Sequence, residues 1–151
     1  MPVISSYALQ YSNVNFSTIS ASTFDLFITE GDADNSSFII PPLTDAQVVA
    51  LTGQGRTVVG YVNVAVTDAN RAYWQDAWTS TGPHPRHEDD LNPVAPGAPS
   101  WLQSQPTNGF GIILDFTESA WQTIIINQAI ALVQRGYSGV FLDDVAAYYT
   151  L

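Results

Sequence analysis

The sequence predicts an α/β fold built from parallel βα units. Apolar runs with strand character alternate with segments of helical periodicity along the 151 residues, the arrangement from which parallel sheets are built. The run "TVVGYVNVAV" (57–66) is almost continuously apolar, as expected of a strand covered on both faces. The links from helix to following strand, "GQGR" and "RGYS", are brief, which favours successive strands lying side by side.

The elements follow in order. "YALQY" (7–11) reads as a first strand, and Ser/Thr-rich turns separate it from "FDLFITE" (24–30), whose aromatic and β-branched residues suit a second. After the turn "GDADNSS", Thr44 and Gln47 have capping-box spacing, with Val48 and Leu51 on one face of the helix they start and Gly53 and Gly55 to stop it. The run 57–66 is the third strand, and "RAYWQDAW" (71–78) reads as a short helix. Pro83, Pro85, Pro93, Pro96 and Pro99 exclude regular structure from the excursion 81–99, and loops of that length often carry function. "FGIILDF" (110–116) reads as another strand. Thr117 or Ser119 can cap the helix after it, on which Trp121, Ile124, Ile125, Ala129, Leu132 and Val133 recur at helical spacing before Arg135 and Gly136 close it. "GVFLDD" is the last strand.

Composition narrows the function classes. With 46% hydrophobic residues and a mean hydropathy of +0.06, the chain can fill one core, and residues 1–151 read as a single partial domain around the irregular 81–99 loop. No apolar run approaches the roughly 20 residues that span a bilayer, so membrane insertion is not expected. The opening "MPVISSYALQYSN" lacks the basic and apolar regions of a secretory signal. Cysteine is absent, which excludes disulfide and thiolate chemistry. There is no lysine, and four arginines face fourteen acids for a formal charge of −10. A phosphate backbone requires a basic face, so nucleic acid is not expected as a partner. A cationic or neutral ligand fits better, although acidity also serves solubility.

Ligands of parallel α/β folds gather beyond the carboxyl ends of the strands. Acids stand at three such ends: Glu30, Asp115, and the pair Asp143 and Asp144. Any one of them alone is ordinary loop or capping chemistry, and their coincidence is what points to a site. Because side chains alternate along a strand, Asp143 and Asp144 face different ways and take different roles. Metal binding has weaker support. His84, His87 and Glu88 in "HPRHED" lie where no helix fixes their spacing. The loop from Asp32 lacks an EF-hand's glycine and terminal glutamate, its twelfth position being Leu43. Neither a metal nor another cofactor is expected.

Several segments together resemble one family. "GRTVVGYVNVAVTDANRAYW", with its glycine-rich helix exit, tyrosine-bearing strand and arginine beside an aromatic pair, resembles the third-strand region of glycoside hydrolase family 114, the endo-α-1,4-polygalactosaminidase-like (β/α)8 barrels. "DFTESAWQTIIINQAIALVQRGYSGVFLDDV" is similar to the family's helix, Gly-aromatic-x-Gly turn and strand ending in a catalytic aspartate, and "YALQY" and "FDLFITE" resemble its first two strands. The resemblance implies part of a (β/α)8 TIM-type barrel and puts Asp143 at the catalytic position, with Tyr61, Asn63 and Arg71 near the cleft. It departs from the family at Ala65-Val66, where a Gly-Glu pair is usual and Asp68 is the next acid, and at Glu30, where the second strand usually ends in aspartate. A full barrel takes about 250 residues. The expectation is therefore a truncated barrel, a fragment of a larger protein, with the family's second catalytic carboxylate, a glutamate, on a later strand.

The resemblance implies hydrolysis of a polysaccharide containing galactosamine, a cationic glycan, by Asp143, with Glu30, Asp68, Asp115 and Asp144 as expected supporting acids. Tyr61, Trp74, Trp101 and Tyr148 are candidate surfaces for sugar rings, with core packing as the alternative use of each aromatic. A catalytically inactive, carbohydrate-binding half-barrel is the competing expectation. The Lys-free, Asn/Ser/Asp-rich composition resembles that of catalytic modules exported without an N-terminal signal, which implies an extracellular protein. An uncovered barrel edge implies self-association.

Overall fold

The computed structural model describes residues 3–11, 14–31, 43–69, 71–78, 94–102 and 112–146. The order of elements is β1 (Tyr7–Gln10), α1 (Phe16–Ala21), β2 (Leu26–Glu30), α2 (Asp45–Gly53), β3 (Thr57–Asn63), β4 (Val66–Thr67), β5 (Ile112–Ile113), α3 (Ser119–Gln134) and β6 (Gly139–Asp143). Four strands form a parallel sheet in the order β1-β2-β3-β6, while β4 and β5 make a separate two-stranded sheet. The α/β class and the partial barrel expected from the sequence are both present.

The chain divides into two compact units, each discontinuous in sequence: Met1–Asp32 with Ile40–Val62 and Ile126–Leu142, and Ala33–Ile39 with Asn63–Ile125 and Asp143–Leu151. In the first, β2 runs in register with β3 so that Glu30 lies opposite Tyr61. Val58, Gly60 and Val62 form the buried face of β3, and Leu132 of α3 lies directly over Gly60 and Gly31. The capping box at Thr44 and Gln47 forms as its spacing predicts, with both reciprocal bonds made. Gly55 and Gly136, which end α2 and α3, have positive φ values of 84° and 98°, the left-handed conformation that favours glycine at a helix exit.

The structure corrects four local expectations. Residues 16–21, expected as turns, form α1, whose start is capped by the Asn15 carboxamide accepting the Thr18 N–H at 3.1 Å. The apolar run 57–66 is interrupted: the Asn63 carboxamide oxygen takes the N–H groups of Ala65 and Val66 at 3.1 and 2.8 Å, and the chain turns out of the main sheet. "FGIILDF" contributes only the short β5, paired antiparallel to β4. Residues 71–78 make no α-helix but consecutive three-residue turns, with Trp74 N–H donating to Arg71 and Trp78 N–H to Gln75, so that only Asp76–Trp78 is helical in the tighter 3₁₀ sense.

Those turns follow from the aromatics they place. In the second unit, Trp74, Trp78, Trp101 and Trp121 form a buried run with successive ring centroids 5.5 Å apart, joined by Leu102 and Leu114. Edge-to-face indoles at this spacing stabilise beyond the area they bury. Most of the 81–99 loop lies outside the described residues.

Candidate functional site

Alternation along β6 sets Gly139, Phe141 and Asp143 on one face of that strand. Asp143 is its last residue and Asp144 the first beyond it. Asp144 takes φ of 55°, the one non-glycine in the left-handed region among the described residues. Such a conformation costs on the order of 1 kcal/mol, less for Asp than for most side chains, and persists only where neighbours hold it. Asn63 supplies the hold, its Nδ2 donating to Asp144 Oδ2 at 2.6 Å. The Asp144 N–H in turn donates to Asp143 Oδ1 at 2.9 Å, and the Asp143 carbonyl accepts the Val64 N–H at 3.1 Å.

Beside this junction is a pocket of about 420 Å³ lined by Val64, Phe116, Asp144 and Val145, within the size range of small-ligand sites. Its floor is braced from α3: the Trp121 indole N–H donates to the Val64 carbonyl at 2.8 Å. Apolar walls carrying one exposed carboxylate suit a ring with an apolar face and polar or cationic substituents. A sugar is such a ring.

The structure brings Asn63, Asp143 and Asp144 together and gives the remaining expected residues other surroundings. Asp115 is a correction. β5 is antiparallel and outside the main sheet, so Asp115 does not end a parallel strand; its carboxylate instead accepts the hydroxyl and the N–H of Thr117 at 2.6 and 2.9 Å. Those bonds, the hydroxyl's foremost, hold its pKa below the ordinary Asp value. Asp68 pairs with Arg71 at 3.3 Å. Trp74 and Trp101, expected as sugar-stacking surfaces, are buried at 5% and 7% exposure in the tryptophan run, where each packs edge to face against Trp78.

Glu30 and Tyr61 belong to the first unit. Glu30 is 3% exposed, and its Oε1 accepts the N–H of Gly31 at 3.0 Å. Tyr61 packs edge to face on Tyr11 at 4.5 Å and parallel to Phe141 at 6.4 Å. Tyr148, His84, His87, Glu88 and the loop from Asp32 lie outside the described residues. Phe116 and Val145, pocket residues that sequence reasoning did not single out, gave no signal there because one isolated apolar side chain beside an acid has no spacing to mark it.

Comparison with known proteins adds the fold's relatives. No family model matches the sequence. An uncharacterised protein of Deinococcus radiodurans is 25% identical over 139 residues, 91% of this chain and 38% of its own length. One from Thermotoga maritima is 22% identical over 139 residues, covering 92% and 38%. Among solved structures, the glycoside hydrolase domain of PelA from Pseudomonas aeruginosa superposes with a TM-score of 0.59 at 20% identity, over 97% of this chain and 47% of that domain. Aspergillus fumigatus Ega3, in complex with galactosamine, gives 0.58 at 14% identity, over 98% and 47%. The chain thus shares the fold of these two solved structures, as part of a barrel, and spans less than half the length of these relatives.

Proposed function

We propose that this chain is the part of a glycoside hydrolase barrel that carries its catalytic aspartate, Asp143, and that the glycan it acts on contains galactosamine. One observation carries the reading: Asp143 ends a parallel strand of a barrel-type sheet, where barrel enzymes keep their chemistry, and its neighbour Asp144 lines the adjoining pocket. The fold shared with PelA and Ega3 supports the reaction class, and galactosamine in the Ega3 complex supports the substrate class. A net charge of −10 favours a cationic polymer over an acidic one. Action on such a polymer outside the cell, after export, fits this chemistry.

Hydrolysis at a glycosidic bond needs two carboxyl groups, about 5 to 5.5 Å apart for retention or about 6.5 to 9.5 Å for inversion. Asp143 supplies one. Asp68 and Asp115 are bonded to Arg71 and Thr117, and the partner carboxylate is proposed to be the glutamate that the family resemblance puts on a later strand, in the barrel segments present in the longer relatives. Tyr61 and Arg71 remain proposed contributors at the cleft, Glu30 a supporting one. A second reading, a module that binds glycan without cleaving it, is favoured by Ala65-Val66 standing where the resembled family usually has a Gly-Glu pair.

The test is hydrolysis and binding of partially deacetylated polygalactosamine by the 151-residue chain, and by the same chain extended with its native downstream sequence. Cleavage in the extended form that falls about a thousandfold in Asp143→Asn is the expected outcome. Binding without cleavage in both forms transfers the assignment to the binding module. Cleavage undiminished in Asp143→Asn removes Asp143 from the chemistry.

A further inference from the structure

We infer that Asn63 is a positioning residue for the Asp143 carboxylate and acts on it through the backbone at Asp144; the inference rests on Asp143 being the reacting acid. Asn63 and Asp144 are 81 positions apart in the chain, yet the carboxamide of one and the carboxylate of the other meet at 2.6 Å. The same carboxamide accepts two backbone N–H groups, those of Ala65 at 3.1 Å and Val66 at 2.8 Å. One side chain therefore fixes both the bend that ends β3 and the left-handed residue that follows β6.

The peptide group between Asp143 and Asp144 is held between these ties. The Val64 N–H binds the Asp143 carbonyl at its start, and Asn63 anchors the Asp144 side chain at its end. Held so, its N–H points at Asp143 Oδ1 at 2.9 Å. A carboxylate that accepts a bond from the next residue's N–H is confined to a narrow range of side-chain torsion, so the ties select the orientation that Asp143 offers to a ligand. Residue 63 must donate once and accept twice. An aspartate there would face the Asp144 carboxylate with no proton to give, and an alanine would do neither.

A role confined to fold stability predicts different behaviour, and Asp144 separates the two. Asp144→Gly suits a positive φ better than the native residue but removes the anchor to Asn63, whereas Asp144→Asn tolerates the left-handed region and keeps an oxygen to accept from Asn63. The measurement is nuclear magnetic resonance on the 151-residue chain without substrate, reading hydrogen exchange of the residue 144 amide and the carboxyl carbon shift of Asp143. In Asn63→Ala and Asp144→Gly, the amide is expected to exchange about tenfold faster and the Asp143 carboxyl signal to move toward that of a solvated Asp. Asp144→Asn is expected to stay near wild type. Wild-type signals in Asn63→Ala, or equal changes in Asp144→Gly and Asp144→Asn, overturn the inference. Should Asn63→Ala fail to fold, the two residue 144 variants decide alone. Because no cleavage is read, loss of the hydrolase assignment and loss of this positioning role are told apart.

Discussion

Arg56 donates to the carbonyls of Ile19, Ser20, Ser22 and Phe24 and to the Ser22 hydroxyl, closing the end of α1. Arg135 binds the Asp45 carboxylate at 2.7 Å and the carbonyls of Gly31 and Leu43 at 2.7 and 2.8 Å. Two of a Lys-free chain's four cations thus act as planar, multi-donor forks, a geometry an ammonium cannot copy. The charge balance was legible in the sequence, but this use of it was not, since backbone carbonyls leave no mark on a residue pattern. Asp25 shows the same economy with acids. It accepts four bonds, from the hydroxyl and N–H of both Ser5 and Ser6. The Ser5 hydroxyl is the largest of the influences that hold its pKa below the ordinary Asp value. A lowered folded pKa contributes stability above the unfolded value and loses it as pH falls through the folded one. The melting temperature of wild type should therefore exceed that of Asp25→Asn at about pH 6, and the gap should narrow as pH falls below the ordinary Asp value of about 3.9. A gap independent of pH would refute the assignment.

At the scale of elements, the joint between α3 and the sheet depends on missing side chains. A Cβ on Gly60 would stand 2.7 Å from Leu132, and one on Gly31 only 2.5 Å. Gly60→Ala should destabilise by about 1 to 3 kcal/mol as an overpacked core, and Leu132→Ala should recover part of that loss in a double-mutant cycle; additive effects would mean that the contact is not shared. Local chemistry made α2, α3 and their glycine exits readable, because caps and turns are written in a few adjacent residues. α1 was hidden by Ser and Thr residues that read as turns. The end of β3 was hidden for a different reason: a single Asn within an otherwise apolar run does not announce that its carboxamide will claim the next two N–H groups. The β4–β5 pairing joins residues over forty positions apart, so Asp115 was misplaced with its strand, while Asp143, on a strand bounded by local turn signals, was read in its right position.

Over the whole molecule, the parallel sheet has β1 and β6 as its outer strands, and the first unit leaves Tyr7, Leu9 and Leu142 exposed. Helix α3 contains no charged residue in 16, and Ile126, Ile130 and Val133 on it are 57%, 49% and 56% exposed. Among the described residues, no helix is long and apolar enough to cross a membrane. We propose that the isolated 151-residue chain self-associates through these surfaces. The charge of −10 opposes this, so added salt should strengthen association by screening the repulsion. Sedimentation that finds a monomer at both low and high salt would defeat the proposal. The buried tryptophan run has a separate consequence. All four of the chain's tryptophans belong to the second unit, so intrinsic indole fluorescence watches that unit alone, while far-ultraviolet ellipticity records every helix and strand. Midpoints of melting from the two spectroscopies agree only if both units lose structure in one cooperative step, which turns an accident of aromatic placement into a built-in reporter of how many steps the chain takes to unfold.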